Sequence, residues 1–317
     1  MNSYKPRNFT PKLLENIRAL SGLHTDKLTA ELMKTFEFSL NNSVCWCINP
    51  DAFDLLWHTQ LTPDALENIW LPYDSMVIEY VFDYSKTNMK VQPDGDPAYN
   101  RVILLFNDRV EGVDQITVVP FWEIMDTTLS RLAEGLHTPS LPNNWTISAY
   151  MAGITRDSMN HIDKWSHDKK YLFGKEVHSP ELIPTFPYEE LLEEGWMVHA
   201  ANAVGDEIKL ALSLLAVLNT ERVPLSRVPA PDKLNKKRRA NNKPPIPEYR
   251  TLNISHPTEL LKRIQGTKDS HGTVRPHWRR GHIRNQPYPA KHEQKKIWIR
   301  PTVVGVGEAN PTDIKII

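Results

Sequence analysis

The sequence predicts an α+β fold with a mostly antiparallel sheet, on three observations. Two amphipathic helical stretches open the chain. A series of β-rich segments follows with few helices between them. A long stretch that is apolar around most of its circumference, Asp206 to Leu218, comes after the strands and reads as a buried central helix. The bulk properties agree. The chain has 317 residues, 40% of them apolar and 24% charged, which is ordinary for a globular protein and long enough for two domains. The longest apolar run, Leu210 to Leu218, is well short of the roughly 20 residues that cross a bilayer. The opening Met-Asn-Ser-Tyr-Lys-Pro-Arg has no signal-peptide hydrophobic region behind it. A membrane protein, a secreted disulfide scaffold and a disordered chain are therefore not expected.

The elements follow in order. Leu13, Leu14, Ile17 and Leu20 recur at helical spacing, with Thr10 ahead of Pro11 as a cap, and Leu28, Leu32, Met33 and Phe36 mark a second helix over 26–40. Val44–Ile48, Met76–Phe82, Val102–Phe106, Ile116–Phe121 and Trp145–Met151 read as strands. Asp51–Trp57 and Thr62–Ile69 read as short helices, because Pro-Asp stands at the head of each. Cys45 and Cys47 flank Trp46, too close for an unstrained disulfide and one residue short of a zinc or redox spacing, so they read as two small core side chains in a reducing cytoplasm. After the central helix the composition changes. Six prolines and the cluster Lys236-Lys-Arg-Arg239 fall between Val223 and Glu248 with no apolar periodicity, which predicts an extended arm or linker. Beyond it, Tyr249–Ile254 reads as a strand, Pro257–Ile264 as a short helix and Lys296–Val304 as a final strand. The predicted organisation is an acidic α+β body over 1–222, a basic proline-rich arm over 223–248 and a small basic β-rich unit over 249–317.

A formal net charge of zero conceals a division. Residues 1–220 carry 17 Lys and Arg against 30 Asp and Glu, a net of −13; residues 221–300 carry 20 against 6, a net of +14. Such asymmetry points to an acidic body with a basic, nucleic-acid-like segment. The competing arrangement docks the two charge tracts on each other and leaves no outward field.

The densest chemistry is His271-Gly-Thr-Val-Arg-Pro-His-Trp-Arg-Arg-Gly-His-Ile-Arg284, with three histidines and four arginines around one tryptophan. Arginine presents a planar fork of donors to phosphate oxygens and tryptophan a stacking face. A strand over 278–284 places Trp278, Arg280, His282 and Arg284 on one face and His277, Arg279 and Ile283 on the other. A bulge at Gly281 would bring the two histidines to one side. Three readings compete. The first is nucleic-acid binding, DNA or RNA, by Lys236, Lys237, Arg238, Arg239, Arg275, Trp278, Arg279, Arg280 and Arg284. The second is metal-independent RNA cleavage, with His277 and His282 as acid and base and Arg280 stabilising the phosphorane. The third pairs the arginines with the chain's own acids. No cofactor or metal is expected. His271, His277, His282 and His292 match no zinc spacing, and HExxH, P-loop and GxGxxG patterns are absent. Asp157, His161, Asp163 and His167 read as isolated polar residues.

Arg279-Arg-Gly-His-Ile-Arg284, Ile297-Trp-Ile-Arg-Pro301 with Gly305, and Leu71-Pro72 ahead of Met76-Val-Ile-Glu79 resemble an uncharacterised family of tailed-phage and mobile-element proteins. Its C-terminal part carries a Val-Arg-Gly-His-[Phe/Trp]-Arg-like run followed by a Trp-Val-x-Pro strand. Ile283 stands where an aromatic is usual in that run. The resemblance implies a phage or mobile-element origin and action in the host cytoplasm, and supplies no catalytic residues. A host protein bound by the acidic body, which matches a nucleic-acid duplex in sign of charge, and a second copy of the chain complete the partners expected.

Overall fold

The computed structural model describes residues 6–21, 27–67, 69–83, 98–123, 145–147, 150–162, 180–185, 194–220, 223, 225–252, 277–279, 281–288, 293–299 and 302–304. In chain order the elements are α1 (Phe9–Ser21), α2 (Lys27–Asn42), β1 (Val44–Cys47), α3 (Pro50–Trp57), β2 (Thr59–Gln60), α4 (Pro63–Leu66), β3 (Ser75–Asp83), β4 (Ala98–Val110), β5 (Val113–Glu123), β6 (Trp145–Ile147), β7 (Tyr150–Thr155) and α5 (Arg156–Asn160). Then come β8 (Glu181–Pro184), α6 (Glu194–Leu218), β9 (Leu225–Val228), α7 (Asp232–Ala240), β10 (Tyr249–Leu252), β11 (His277–Arg279), β12 (Gly281–Tyr288), β13 (Glu293–Ile299) and β14 (Thr302–Val304).

The main sheet runs β8-β7-β5-β4-β3-β1-β10-β9, with β6 beside β5. It is antiparallel except at β1, which lies parallel to both β3 and β10. The fold is α+β with a mostly antiparallel sheet, as the segment order predicts. Two-residue periodicity splits its side chains cleanly. Met76, Ile78 and Tyr80 of β3 and Ile103 and Leu105 of β4 face a core shared with α3, α4 and α6. Val77, Val102, Leu104 and Phe106 face the other core, shared with α1 and α2. α6 is the buried central helix: Val204, Ile208, Leu210, Leu212, Leu214 and Val217 are all at most 1% exposed. Cys45 and Cys47 are free, buried members of the α1/α2 core. Burial pushes the Cys47 thiol up to about 12 and the Cys45 thiol higher still, so neither is a thiolate near neutral pH.

Local chemistry explains the short elements. Pro50 and Pro63 open α3 and α4, where Asn49 Oδ1 accepts from Ala52 N–H at 2.7 Å and Thr62 Oγ1 accepts from Ala65 N–H at 3.2 Å. The β4–β5 hairpin closes on Glu111 (φ 50°) and Gly112 (φ 84°), the positive pair that a two-residue turn with right-handed twist requires.

Several expectations need correction. Thr10 is no cap; it lies inside α1, and its N–H and O–H both reach a buried carboxylate on β3. The segment 145–151 is two strands, β6 and part of β7, both paired with β5. The largest correction concerns 223–248. This stretch contains β9 and the nine-residue helix α7, and β9 pairs with β10, which pairs with β1. Residues 225–228 of the proline-rich stretch and the strand after it are thus built into the main sheet. The expected strand over 278–284 is also interrupted: β11 pairs with β14 in one small sheet, whereas β12 pairs with β13 and β2 in another. The expected helix over 257–264 lies outside the described residues.

Candidate functional site

The basic cluster of the proline-rich stretch is held as a helix by polar contacts. Asp232 sits in the first turn of α7 and Lys237, Arg238 and Arg239 in the last, the polarity that the helix dipole favours. Asn242 takes φ 53° just past the C-terminus. Its N–H donates to the Arg239 carbonyl at 3.0 Å and the Lys243 N–H donates to the Arg238 carbonyl at 2.9 Å. That pair of bonds is a Schellman closure, with asparagine in the place usually given to glycine. Asn235, 4% exposed, donates to the Ile246 carbonyl and accepts from the Ile246 N–H, both at 2.8 Å. Its amide therefore substitutes for a strand partner and fixes the 243–248 loop against the helix. Arg238 donates to the Pro244 carbonyl at 2.6 Å and to Glu15 of α1 at 2.9 Å.

These inward contacts dispose of one face and leave the other to solvent. Lys233, Lys236 and Lys237 fall within an arc of about 100° at helical spacing, with Arg239 at its edge. All four are exposed, as is Lys243, and none has a carboxylate partner among the described residues. Of the four cluster residues singled out in the sequence, Lys236, Lys237 and Arg239 face outward and Arg238 is spent on Glu15.

The remaining predicted residues lie elsewhere. Ile283 and Trp298 anchor the β12–β13 hairpin in the core shared with α3, α4 and α6, and the Trp298 indole N–H donates to Thr59 Oγ1 at 3.2 Å. Lys296 donates to the carbonyls of Asp64 (2.8 Å) and Glu67 (2.6 Å) at the end of α4. Ile246, by contrast, belongs to the α1/α2 core. The α7 cluster and the β12–β13 hairpin thus sit on opposite sides of the main sheet. Among the described residues, the predicted nucleic-acid residues of α7 and Arg284 of β12 do not share one surface. Arg284 is exposed and donates to Gln286 at 2.6 Å, with no carboxylate partner among the described residues; His282 is half-buried beside it. His277, Trp278 and Arg279 occupy β11, opposite Val304, Val303 and Thr302. The proposed acid and base therefore stand on strands of two different sheets. Arg275 and Arg280 lie outside the described residues.

Both modes of charge disposal operate in the basic third. Arg238 and Lys296 dock on the body, whereas the outer face of α7 does not.

Two buried polar clusters escaped the sequence reading. Glu79 of β3, 1% exposed, accepts from Thr10 N–H (2.7 Å), Thr10 O–H (2.6 Å) and Tyr249 O–H (2.6 Å). Burial raises its pKa and these donors partly offset the rise. On the other side of the sheet Arg101 pairs with the fully buried Glu207 of α6, which also accepts from Tyr80 O–H at 3.3 Å, and Arg101 lies 5.4 Å over the Trp122 ring. Neighbouring Asp206 is pushed up to about 7 by burial and by the Glu207 charge. Both clusters join distant segments, Glu79 to α1 and β10, and Glu207 to β3 and β4. His161 is accounted for by its helical neighbour: its Nδ1 lies 3.7 Å from the Asp157 carboxylate, four residues earlier. Asp163 and His167 lie outside the described residues.

The model of the AcrVA2-like family, described as the anti-CRISPR type V subtype A2 family, matches residues 46–306. No curated protein matches the chain. Among solved structures, the crystal structure of AcrVA2 is 15% identical over 96% of this chain and 89% of that one, with a TM-score of 0.36.

Proposed function

The chain belongs to the AcrVA2-like anti-CRISPR type V subtype A2 family, and from that membership we propose that it is a phage- or mobile-element-encoded protein that acts in the host cytoplasm against a type V CRISPR system. Its partner in this reading is the host effector complex, a protein that carries RNA and meets DNA, and the contact is made to nucleic acid by cations of the basic third. The observation that supports it is the outer face of α7, where Lys236, Lys237 and Arg239 are exposed without a carboxylate partner among the described residues. A chain whose formal charge sums to zero gains nothing in net attraction to a polyanion; a local concentration of unpaired cations supplies it. Arg284, on the other side of the sheet, is a second contact of the same kind.

The test is interference in cells that carry a type V effector and a matching target plasmid. Wild-type protein is expected to protect the plasmid. Lys236→Ala/Lys237→Ala/Arg239→Ala is expected to lose most of that protection while folding normally, because all three side chains project into solvent. Full protection by the triple variant would refute a role for this face.

A further inference from the structure

We infer that the outer face of α7 is a docking surface for the sugar-phosphate backbone of a double helix, read without regard to base sequence, and that it includes Lys12, Lys233 and Lys243 beyond the cluster visible in the sequence. This rests on the nucleic-acid reading above and specifies the ligand. Density of charge is the first argument. α7 is ~13 Å long. A duplex presents one phosphate charge per ~1.7 Å of axis and a single strand one per ~3.4 Å. Over that length a duplex offers about eight charges and a single strand about four. The face presents Lys233, Lys236, Lys237 and Arg239, with Lys243 immediately past the helix end. Lys12, exposed on α1, adds a sixth: it lies one turn before Glu15, the residue to which Arg238 ties α7. The four cations along α7 already match the four charges that one strand offers over that length; Lys243 and Lys12 are in excess of it, and a second strand across a groove meets them.

The residue types are the second argument. Sequence-tolerant single-strand sites stack bases on aromatic rings. Asp232-Lys-Leu-Asn-Lys-Lys-Arg-Arg-Ala240 contains no ring, and its one large outward apolar side chain is Leu234, 47% exposed. Base-edge readout in a groove favours arginine forks and side-chain amides, yet the forward face is lysine, a point charge suited to phosphate. Rigidity is the third. The Asn235 amide, the Arg238 contacts and the Asn242 closure fix the helix, so the cations are ordered before the ligand arrives.

Fluorescence anisotropy with the full chain tests this. The probes are a 20-base-pair RNA duplex, the DNA duplex of the same sequence, each component strand alone, and duplexes of scrambled sequence, between 50 and 200 mM salt. The expected result is at least tenfold tighter binding to one or both duplexes than to their strands, unchanged by scrambling. The log–log salt slope should be steeper than about −3, from four or more phosphates at ~0.9 each. Lys233→Gln/Lys236→Gln/Lys237→Gln should reduce that slope by about 2 to 3, whereas Arg109→Gln, an exposed cation of the β4–β5 hairpin that already faces Asp114 at 3.6 Å, should leave duplex affinity within twofold. Equal or tighter binding of single strands, with the triple variant still impaired, would overturn the duplex assignment and leave the broader reading intact. No binding of any probe by the wild-type chain would overturn both.

Discussion

Replacing Asn235 with alanine tests whether a polar bracket rather than an apolar stripe orders the basic segment. The side chain is 4% exposed and satisfies both backbone groups of Ile246, itself 8% exposed, through two bonds of 2.8 Å. Alanine leaves that N–H and that carbonyl without the Asn235 amide as partner. Each stranded group costs about 1–3 kcal/mol, so the loss is about 2–6 kcal/mol if the loop stays in place. Opening the loop limits the loss but exposes Ile246, whose burial contributes about 2 kcal/mol. Both routes converge on about 2–4 kcal/mol. Urea denaturation should show that decrease with an unchanged m-value, and limited proteolysis should cut within 243–248 in the variant only. Asn241 provides the control, since it is exposed and its amide donates only to the Lys237 carbonyl; Asn241→Ala should cost less than about 0.5 kcal/mol. Indistinguishable stability and cleavage for the two variants would refute the bracket.

Arg101→Met leaves Glu207 buried without its cation and should cost about 3–5 kcal/mol, whereas Arg101→Met/Glu207→Leu should recover more than half of that in the same denaturation assay. If the double variant is as unstable as the sum of the single changes, the pair is not a coupled unit. Glu79 holds its proton in the folded state above the pH at which an unfolded carboxyl releases it, so its contribution to stability is largest at low pH and falls as pH rises above about 4. Asp206 adds the same slope up to about 7. Glu79→Gln keeps an acceptor for Thr10 and Tyr249 and cannot titrate, so its stability relative to wild type should increase from pH 4 to pH 8; a constant difference would contradict the assignment. Lys296→Met removes the cation that binds the last carbonyls of α4 and should cost about 1–2 kcal/mol, with the β12–β13 hairpin exchanging its amide protons first. Uniform protection across the molecule after that change would argue against a local role.

Much of the fold was legible because its signals are local. Leu13, Leu14 and Ile17 announce α1 by spacing alone, Pro-Asp announces α3 and α4, and the all-round apolarity of Ile208 to Val217 announces a buried helix. The strands were found at their centres but not at their junctions. The break between Arg279 and Gly281 that sends β11 and β12 to different sheets has no periodic signature. α7 was missed because its stability does not come from an apolar face. Asp232 in the first turn, three cations in the last and the Asn241-Asn242 pair were nevertheless visible as helix-end chemistry.

The distribution of charge, an acidic body and a basic third, is determined by the amino-acid order alone. Which cations reach solvent is not. Insertion of β1 between β3 and β10 carries the basic stretch into the main sheet and puts α7 on the α1/α2 side, while Ile283 and Trp298 draw the β12–β13 hairpin to the other. Residues close in sequence are parted by the thickness of a sheet, because strand pairing and core burial act between segments some 200 residues apart, as from Cys45 to Tyr249. The resulting contacts neutralise Arg238 and Lys296 and leave the lysines of α7 facing water.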